Sequence, residues 1–294
     1  MKQTTAGDTS RTPSETASCD VELSQGRIQY TDIGSGESIL FVHGAFVNRA
    51  LWRNIVDPLS QKFRCLVPTL PLGGHDMPMH EEADLTPSGL VDLLAEFVDE
   101  LGLDRVILVG CDTGGALCQV FLSRYPDRVE RLVLTNCDAF DNFPPALALP
   151  FVWGARIPGL TGIFARSLAS RRIRRLAFGL LVKQSVRPTV LAGYVDSLVD
   201  DAGVRRDLRK ALRDISPEYT QQAAASFSSF DRPVLIAWAL DDPIFPLEDA
   251  RQLVDRFPDA RLESIEDSYA LVPEDQPERL VELITNFLGV RLSV

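Results

Sequence analysis

Short apolar runs alternate with amphipathic segments along this 294-residue chain from Val21 onward. Runs at 21–23, 27–32, 38–42, 64–68, 105–109, 131–135, 233–238 and 261–265 read as eight strands. Those beginning at Ile39 and Val106 are continuously apolar and rich in β-branched residues, as in central parallel strands covered on both faces. Helical periodicity covers 51–63, 86–103, 113–125, 247–257 and 277–288. Thr86-Pro87 is a helix start, an N-cap followed by proline in the first turn. The first two strands are joined through residues 24–26 with no helix between them, so the sheet is expected to begin antiparallel and turn parallel.

The alternation stops at about 138 and resumes at about 230, and the stretch between is mostly helical in pattern. A helical insertion leaving the carboxyl end of one strand and returning to the next is a lid by position, because such loops surround the site of an α/β sheet. The expected organisation is a disordered tail over 1–20, an α/β core from 21–137 and 230–294, and a lid over 138–229.

Composition narrows the partners. A net charge of −11 argues against nucleic acid, which demands clustered positive charge, and against adhesion to anionic membranes. The expected partner is a small-molecule substrate. Five cysteines in no metal-ligand spacing, and the lack of an apolar leader-like run at the start, point to a reducing, cytoplasmic setting. The most apolar stretch, 150–164, is broken by Arg156, Pro158 and glycines, so no transmembrane helix is expected there. With three histidines and no dinucleotide-type glycine spacing, neither a metal nor a cofactor is expected.

The strongest local signal is Val109-Gly110-Cys111-Asp112-Thr113-Gly114-Gly115, where a buried strand meets a helix. Small residues around position 112 permit the sharp strand-to-helix turn written G-x-S-x-G, here G-x-D-x-G. A carboxylate there can attack carbon and form an ester, and the helix N-terminus behind it favours the charge. The plain alternative is that Asp112 caps its helix. Phe41-Val42-His43-Gly44-Ala45-Phe46, after the third strand, would expose an amide of Ala45 or Phe46 toward the turn, with the Thr113 amide as second donor of an oxyanion site. His43 is expected to hold that loop. After the seventh strand, Asp242 in Trp238-Ala239-Leu240-Asp241-Asp242-Pro243 stands where a triad acid belongs; an Asp-Pro turn is the alternative.

These motifs, with Tyr125-Pro126-Asp127-Arg128-Val129 and Pro273-Glu274-Asp275-Gln276-Pro277-Glu278, resemble the α/β-hydrolase superfamily in its Asp-nucleophile branch of haloalkane dehalogenases and epoxide hydrolases. The resemblance covers nearly the whole chain from Val21. It implies an α/β-hydrolase fold, a mostly parallel eight-stranded sheet with helices on both faces and a helical lid, with Asp112 as nucleophile and Asp242 as the acid.

The chain departs from that pattern at the base. Relatives carry Gly-His-Phe ahead of Pro-Glu-x-Gln-Pro; here Tyr269-Ala270-Leu271 puts alanine in the histidine's place, and no histidine lies beyond His80. General-base help is worth ~10²–10⁴-fold, so an ester on Asp112 would turn over slowly unless another group serves. His75 is one candidate substitute. Thr113 replaces the tryptophan that holds the halide in haloalkane dehalogenases, and Ala45 offers no side-chain donor, which leaves halide poorly held. Epoxide hydrolases use lid tyrosines, and Tyr194 and Tyr219 are the candidates here. A basic cluster, Arg166, Arg171, Arg172, Arg174 and Arg175, forms either a solvated face or an inward hold on an acidic substrate. The expectation is a hydrolase of a small electrophile, an epoxide before an alkyl halide or ester. The alternatives are a lyase, isomerase or cyclase using Asp112 as base, and a lapsed enzyme that only binds.

Overall fold

A computed structural model describes residues 18–292. Eight strands, β1 (Ser18–Leu23), β2 (Gly26–Ile33), β3 (Ser38–Val42), β4 (Arg64–Pro68), β5 (Val106–Asp112), β6 (Val129–Cys137), β7 (Val234–Ala239) and β8 (Ala260–Ile265), form one sheet in the order β1-β2-β4-β3-β5-β6-β7-β8. The β1–β2 and β2–β4 pairs are antiparallel and the remaining pairs parallel. This is the expected switch, since only the first two strands are joined by a hairpin. β1 starts earlier than its apolar residues indicate: Ser18, Cys19 and Asp20 pair with Thr31, Tyr30 and Gln29. An edge strand with one face toward solvent carries polar residues that hide it from a hydropathy reading. The rest of the expected tail, 1–17, lies outside the described residues.

β5 shows how the core is built. Val106 and Leu108 point into one cluster with Leu90, Leu94, Phe97 and Phe121, from the helices Pro87–Glu100 and Thr113–Arg124. Ile107, Val109 and Cys111 point into the other with Ile55, Leu280 and Ile284, from Arg53–Leu59 and Pro277–Leu288. Alternate residues therefore serve opposite faces, which is why the strand must be apolar throughout. The N-cap expected at Thr86 is present, its hydroxyl accepting from the Gly89 amide at 3.2 Å. Between β6 and β7 the described chain forms six α-helices, from Leu149–Ala155 to Pro217–Ala224, a 3-10 turn and one isolated bridge between Ala139 and Asn142. The 150–164 stretch is two short helices, Leu149–Ala155 and Leu160–Ser167, and no described helix is long and apolar enough to cross a membrane.

Candidate active site

Asp112 ends β5 and precedes the helix Thr113–Arg124 with φ 55° and ψ −137°. A non-glycine residue held there stores of order 1–3 kcal/mol of backbone strain, which the surrounding packing must impose. Gly114 shows how: a Cβ on it would fall 2.2 Å from the Val42 carbonyl oxygen, so only glycine lets the helix start lie against β3. The Asp112 side chain makes no N-cap bond to its helix. It reaches instead toward the amides of Thr113 and Ala45, the two donors expected of an oxyanion site. Burial pushes its carboxyl up to about 7; those amides pull it down, and the nearby charge of Asp242 pushes it further up.

The carboxyl opens into a cavity of about 980 Å³, its mouth included. Ala45, Phe46 and Thr113 line it beside Asp112, while the lid supplies Phe143, Phe151, Phe164, Leu181 and other apolar side chains. Phe46, Phe151 and Phe164 stack edge-on or tilted, with centroids 4.6–5.8 Å apart, and join the loop after β3 to the lid. The lining carries two carboxyl groups. The second belongs to Asp138.

Motif spacing does not single out Asp138. It lies one residue beyond β6, and Cys137 pairs with Asp112 across the β5–β6 ladder. Asp138 therefore emerges beside Asp112 at the carboxyl edge of the sheet, a position that topology could have flagged. It is 1% exposed, and Oδ1 has no hydrogen-bond partner. Burial holds its pKa well above the ordinary range and the Asp112 charge adds to this, while the Thr113 side chain hydrogen-bonds it and pulls the other way. Two carboxyls in one dry cavity cannot both ionise cheaply.

Asp242 lies outside the cavity lining. Asn136 Nδ2 donates to its Oδ2 at 2.7 Å and the Ile244 amide to its Oδ1 at 2.8 Å, so side chain and turn are fixed together. Burial pushes it up to about 6. Asn136 also bonds both the amide and the carbonyl of Ala239, tying the ends of β6 and β7 at the level of the site. Ala270 is fully buried and also outside the lining; its carbonyl accepts from Cys111 Sγ at 3.4 Å, which sets it directly behind the turn.

Four expected actors lie elsewhere. Tyr194 is buried against the Arg53–Glu274 ion pair, its hydroxyl bonded to Glu274, and does not line the cavity. Tyr219 borders a separate cleft with Arg156, Arg213 and Glu218. Neither tyrosine is among the residues that line the cavity holding Asp112. His75 does not line the cavity: it borders a separate small pocket with Gln29, Thr69 and Met79, its Nε2 lies 3.3 Å from Asp207 Oδ2, and Asp207 also accepts from the Met79 amide at 2.7 Å. No arginine of the basic cluster lines the cavity, and Arg174 turns in to Asp196 at 3.4 Å. His43 holds its loop. Leu70 N–H donates to Nε2 at 2.8 Å, so the proton sits on Nδ1 and goes to the Gly44 carbonyl at 2.8 Å. Burial lowers its pKa to about 4, consistent with that neutral ring. Among the described residues no cluster of three or more His, Cys, Asp or Glu could hold a metal.

Residues 37–277 match the alpha/beta hydrolase fold family, and the chain belongs to it. It is 29% identical over 282 residues to haloalkane dehalogenase 2 of Mycobacterium tuberculosis, covering 91% of this chain and 93% of that protein. It is 27% identical over 273 residues to a cis-3-alkyl-4-alkyloxetan-2-one decarboxylase of Shewanella oneidensis, covering 89% and 85%. Among solved structures, an alpha/beta hydrolase fold protein from Burkholderia ambifaria superposes with a TM-score of 0.78 at 23% identity, covering 91% of this chain and 97% of that one. A thermophilic esterase from Thermogutta terrifontis gives 0.73 at 22%, covering 93% and 98%. The protein is thus an α/β-hydrolase-fold chain related to haloalkane dehalogenases and to a decarboxylase.

Proposed function

We propose that the protein hydrolyses a small, apolar, strained electrophile, an epoxide first, through an ester on Asp112, and that Asp138 carries the proton that a histidine carries in relatives. The observation that supports this is the pair of buried carboxyls facing one apolar cavity, one of them met by two backbone amides. An alkyl halide is the weaker fit, because Ala45 and Thr113 bring no N–H side chain to hold a departing halide. An epoxide needs an acid at its oxygen, and a carboxyl kept neutral by burial is one.

The steps balance. The Asp112 carboxylate attacks an epoxide carbon, the carbon–oxygen bond breaks, and the oxygen takes the Asp138 proton. This leaves a hydroxyalkyl ester and an Asp138 carboxylate, now a base of raised pKa. Water attacks the ester carbon and gives its proton to Asp138, while the Ala45 and Thr113 amides hold the oxyanion. Collapse releases the alkoxide, which takes the proton of the newly formed Asp112 carboxylic acid. The net change is epoxide plus water to vicinal diol.

The test is incubation with a panel of small epoxides, with diol quantified and the protein weighed intact. Wild type is expected to form diol, Asp112→Asn neither diol nor adduct, and Asp138→Asn little diol and slow ester formation, with whatever ester does form persisting on Asp112. Undiminished diol from Asp138→Asn removes Asp138 from the mechanism; undiminished diol from Asp112→Asn removes the ester.

A non-hydrolytic reaction is the second reading. Alanine at 270 and the decarboxylase among the relatives favour it, since water is then not a reactant. Release of CO2 from a β-lactone, with no hydroxy acid formed, would identify that chemistry.

A further inference from the structure

Nine large hydrophobic side chains stand exposed among the described residues, and all but Leu240 fall within 147–180. They follow helical spacing: Trp153 and Ile157 are four apart, Leu160 and Ile163 three, and Ile173, Leu176 and Leu180 three and seven. The first three lid helices, Leu149–Ala155, Leu160–Ser167 and Arg171–Phe178, with the turns that follow the first and third, thus carry exposed apolar side chains, and the last three carry none. The exposure is large: Trp153 61%, Ile163 65% and Leu176 73%. So concentrated a set of bare apolar side chains marks a docking surface.

Its charge identifies the occupant. Residues 147–183 contain six arginines, Lys183 and no acid, in a chain whose net charge is −11. Arg174 is drawn to Asp196 and Lys183 to Asp241 and Asp267, whereas Arg166, Arg171, Arg172 and Arg175 find no carboxylate among the described residues. A second copy of the same face would set these cations against one another, so self-association is disfavoured. The cavity mouth lies in the patch as well, for Leu147 and Leu180 are both exposed and line the cavity holding Asp112.

We propose that this lid face docks on an anionic lipid surface, with the apolar stripes in the headgroup boundary, the arginines on the lipid phosphates and the cavity mouth toward the bilayer. Net charge argues against such a contact only when its distribution is ignored. Helices of this length lie in the interface rather than span it, and a tryptophan among arginines is the composition such surfaces carry. That a membrane-dissolved apolar compound enters the cavity rests on the function proposed above; the docking does not.

The tryptophans supply the readout. Trp52 and Trp238 are fully buried, so a change in the emission of the folded protein on adding vesicles reports Trp153. The full chain is titrated with vesicles of phosphatidylcholine alone and with phosphatidylglycerol added, by fluorescence and by co-sedimentation. Binding to the anionic vesicles is expected, with a blue shift and weakening by salt. Each arginine near such a surface is worth about fivefold, so Arg171→Gln/Arg172→Gln/Arg175→Gln is expected to lose on the order of 100-fold in partitioning. Trp153→Ser/Ile163→Ser is expected to lose binding while keeping its circular dichroism, and Asp112→Asn is expected to bind as wild type, which separates docking from chemistry. No binding to anionic vesicles, binding undiminished in both surface variants, or a solution dimer that the Trp153→Ser/Ile163→Ser change dissolves would overturn the proposal.

Discussion

The Asp112 carboxyl fills the space in which a side chain at position 44 would begin: a Cβ on Gly44 falls 2.0 Å from Oδ2 and 2.5 Å from Cγ. The glycine is there for room, since its φ lies outside the left-handed region. Gly44→Ala must push the carboxyl off the Ala45 and Thr113 amides. A displacement of about 1 Å at a reacting group can cost ~10²-fold, and that loss in kcat/KM is expected with circular dichroism unchanged. Full activity in Gly44→Ala would mean that the carboxyl need not sit where it does.

Attack requires Asp112 ionised, and burial pushes its carboxyl up to about 7. Diol formation should therefore rise with pH through that region rather than near pH 4. Asp242 contributes to the shift by its charge, so Asp242→Asn should move the rising limb to lower pH. A kcat/KM profile of the two proteins measures this, and an unmoved limb would show that Asp242 acts only as a turn.

Tyr194 tests the reassignment of the lid tyrosines. Its hydroxyl joins a bidentate pair in which Arg53 bonds Glu274 at 2.6 and 2.7 Å, the Glu274 side chain being 2% exposed. Removing a buried partner leaves an uncompensated charge, so Glu274→Ala should cost ~3–5 kcal/mol in denaturant unfolding. Tyr194→Phe removes one bond of several and should cost about 1 kcal/mol, leaving epoxide turnover intact. A collapse of turnover in Tyr194→Phe would return the ring to the chemistry.

The strands, the helix starts and the turn at Asp112 were legible because each depends on local pattern: continuous apolar residues, a cap followed by proline, glycines around one residue. The lid's interior was not. Tyr194, Tyr219 and His75 lie at positions compatible with the site, yet each stands against residues far along the chain: Glu274 for Tyr194, Thr86 and Arg156 for Tyr219, and Asp207 for His75. Asp138 was missed for the opposite reason. No motif surrounds it, and its proximity to Asp112 comes from the pairing of Cys137 beside β5 and from the lid closing over both. Nor does hydropathy alone tell the outward stripes of Trp153, Ile163 and Leu176 from core-facing ones, because the period is the same.

Two raised carboxyls also predict how stability depends on pH. In the folded protein Asp112 titrates near 7 against an ordinary 3.8, so between those values the folded state binds more protons than the unfolded state. Stability contributed by the neutral carboxyl is then full below about 4 and lost as pH rises toward 7. Above that the ionised group costs the fold on the order of 4 kcal/mol. Asp138 shifts in the same direction, by burial first and the Asp112 charge second, and adds to the loss as pH rises. Asp112→Asn removes the titration while nearly preserving shape, so its melting temperature should exceed that of wild type at pH 8, and the difference should shrink as pH falls toward 4. Thermal unfolding of both proteins across that range decides it. A gap that stays constant with pH would place Asp112 in water, and the paired-carboxyl chemistry would lose its basis, because only a dry cavity holds one of the two acids neutral where the other must be charged.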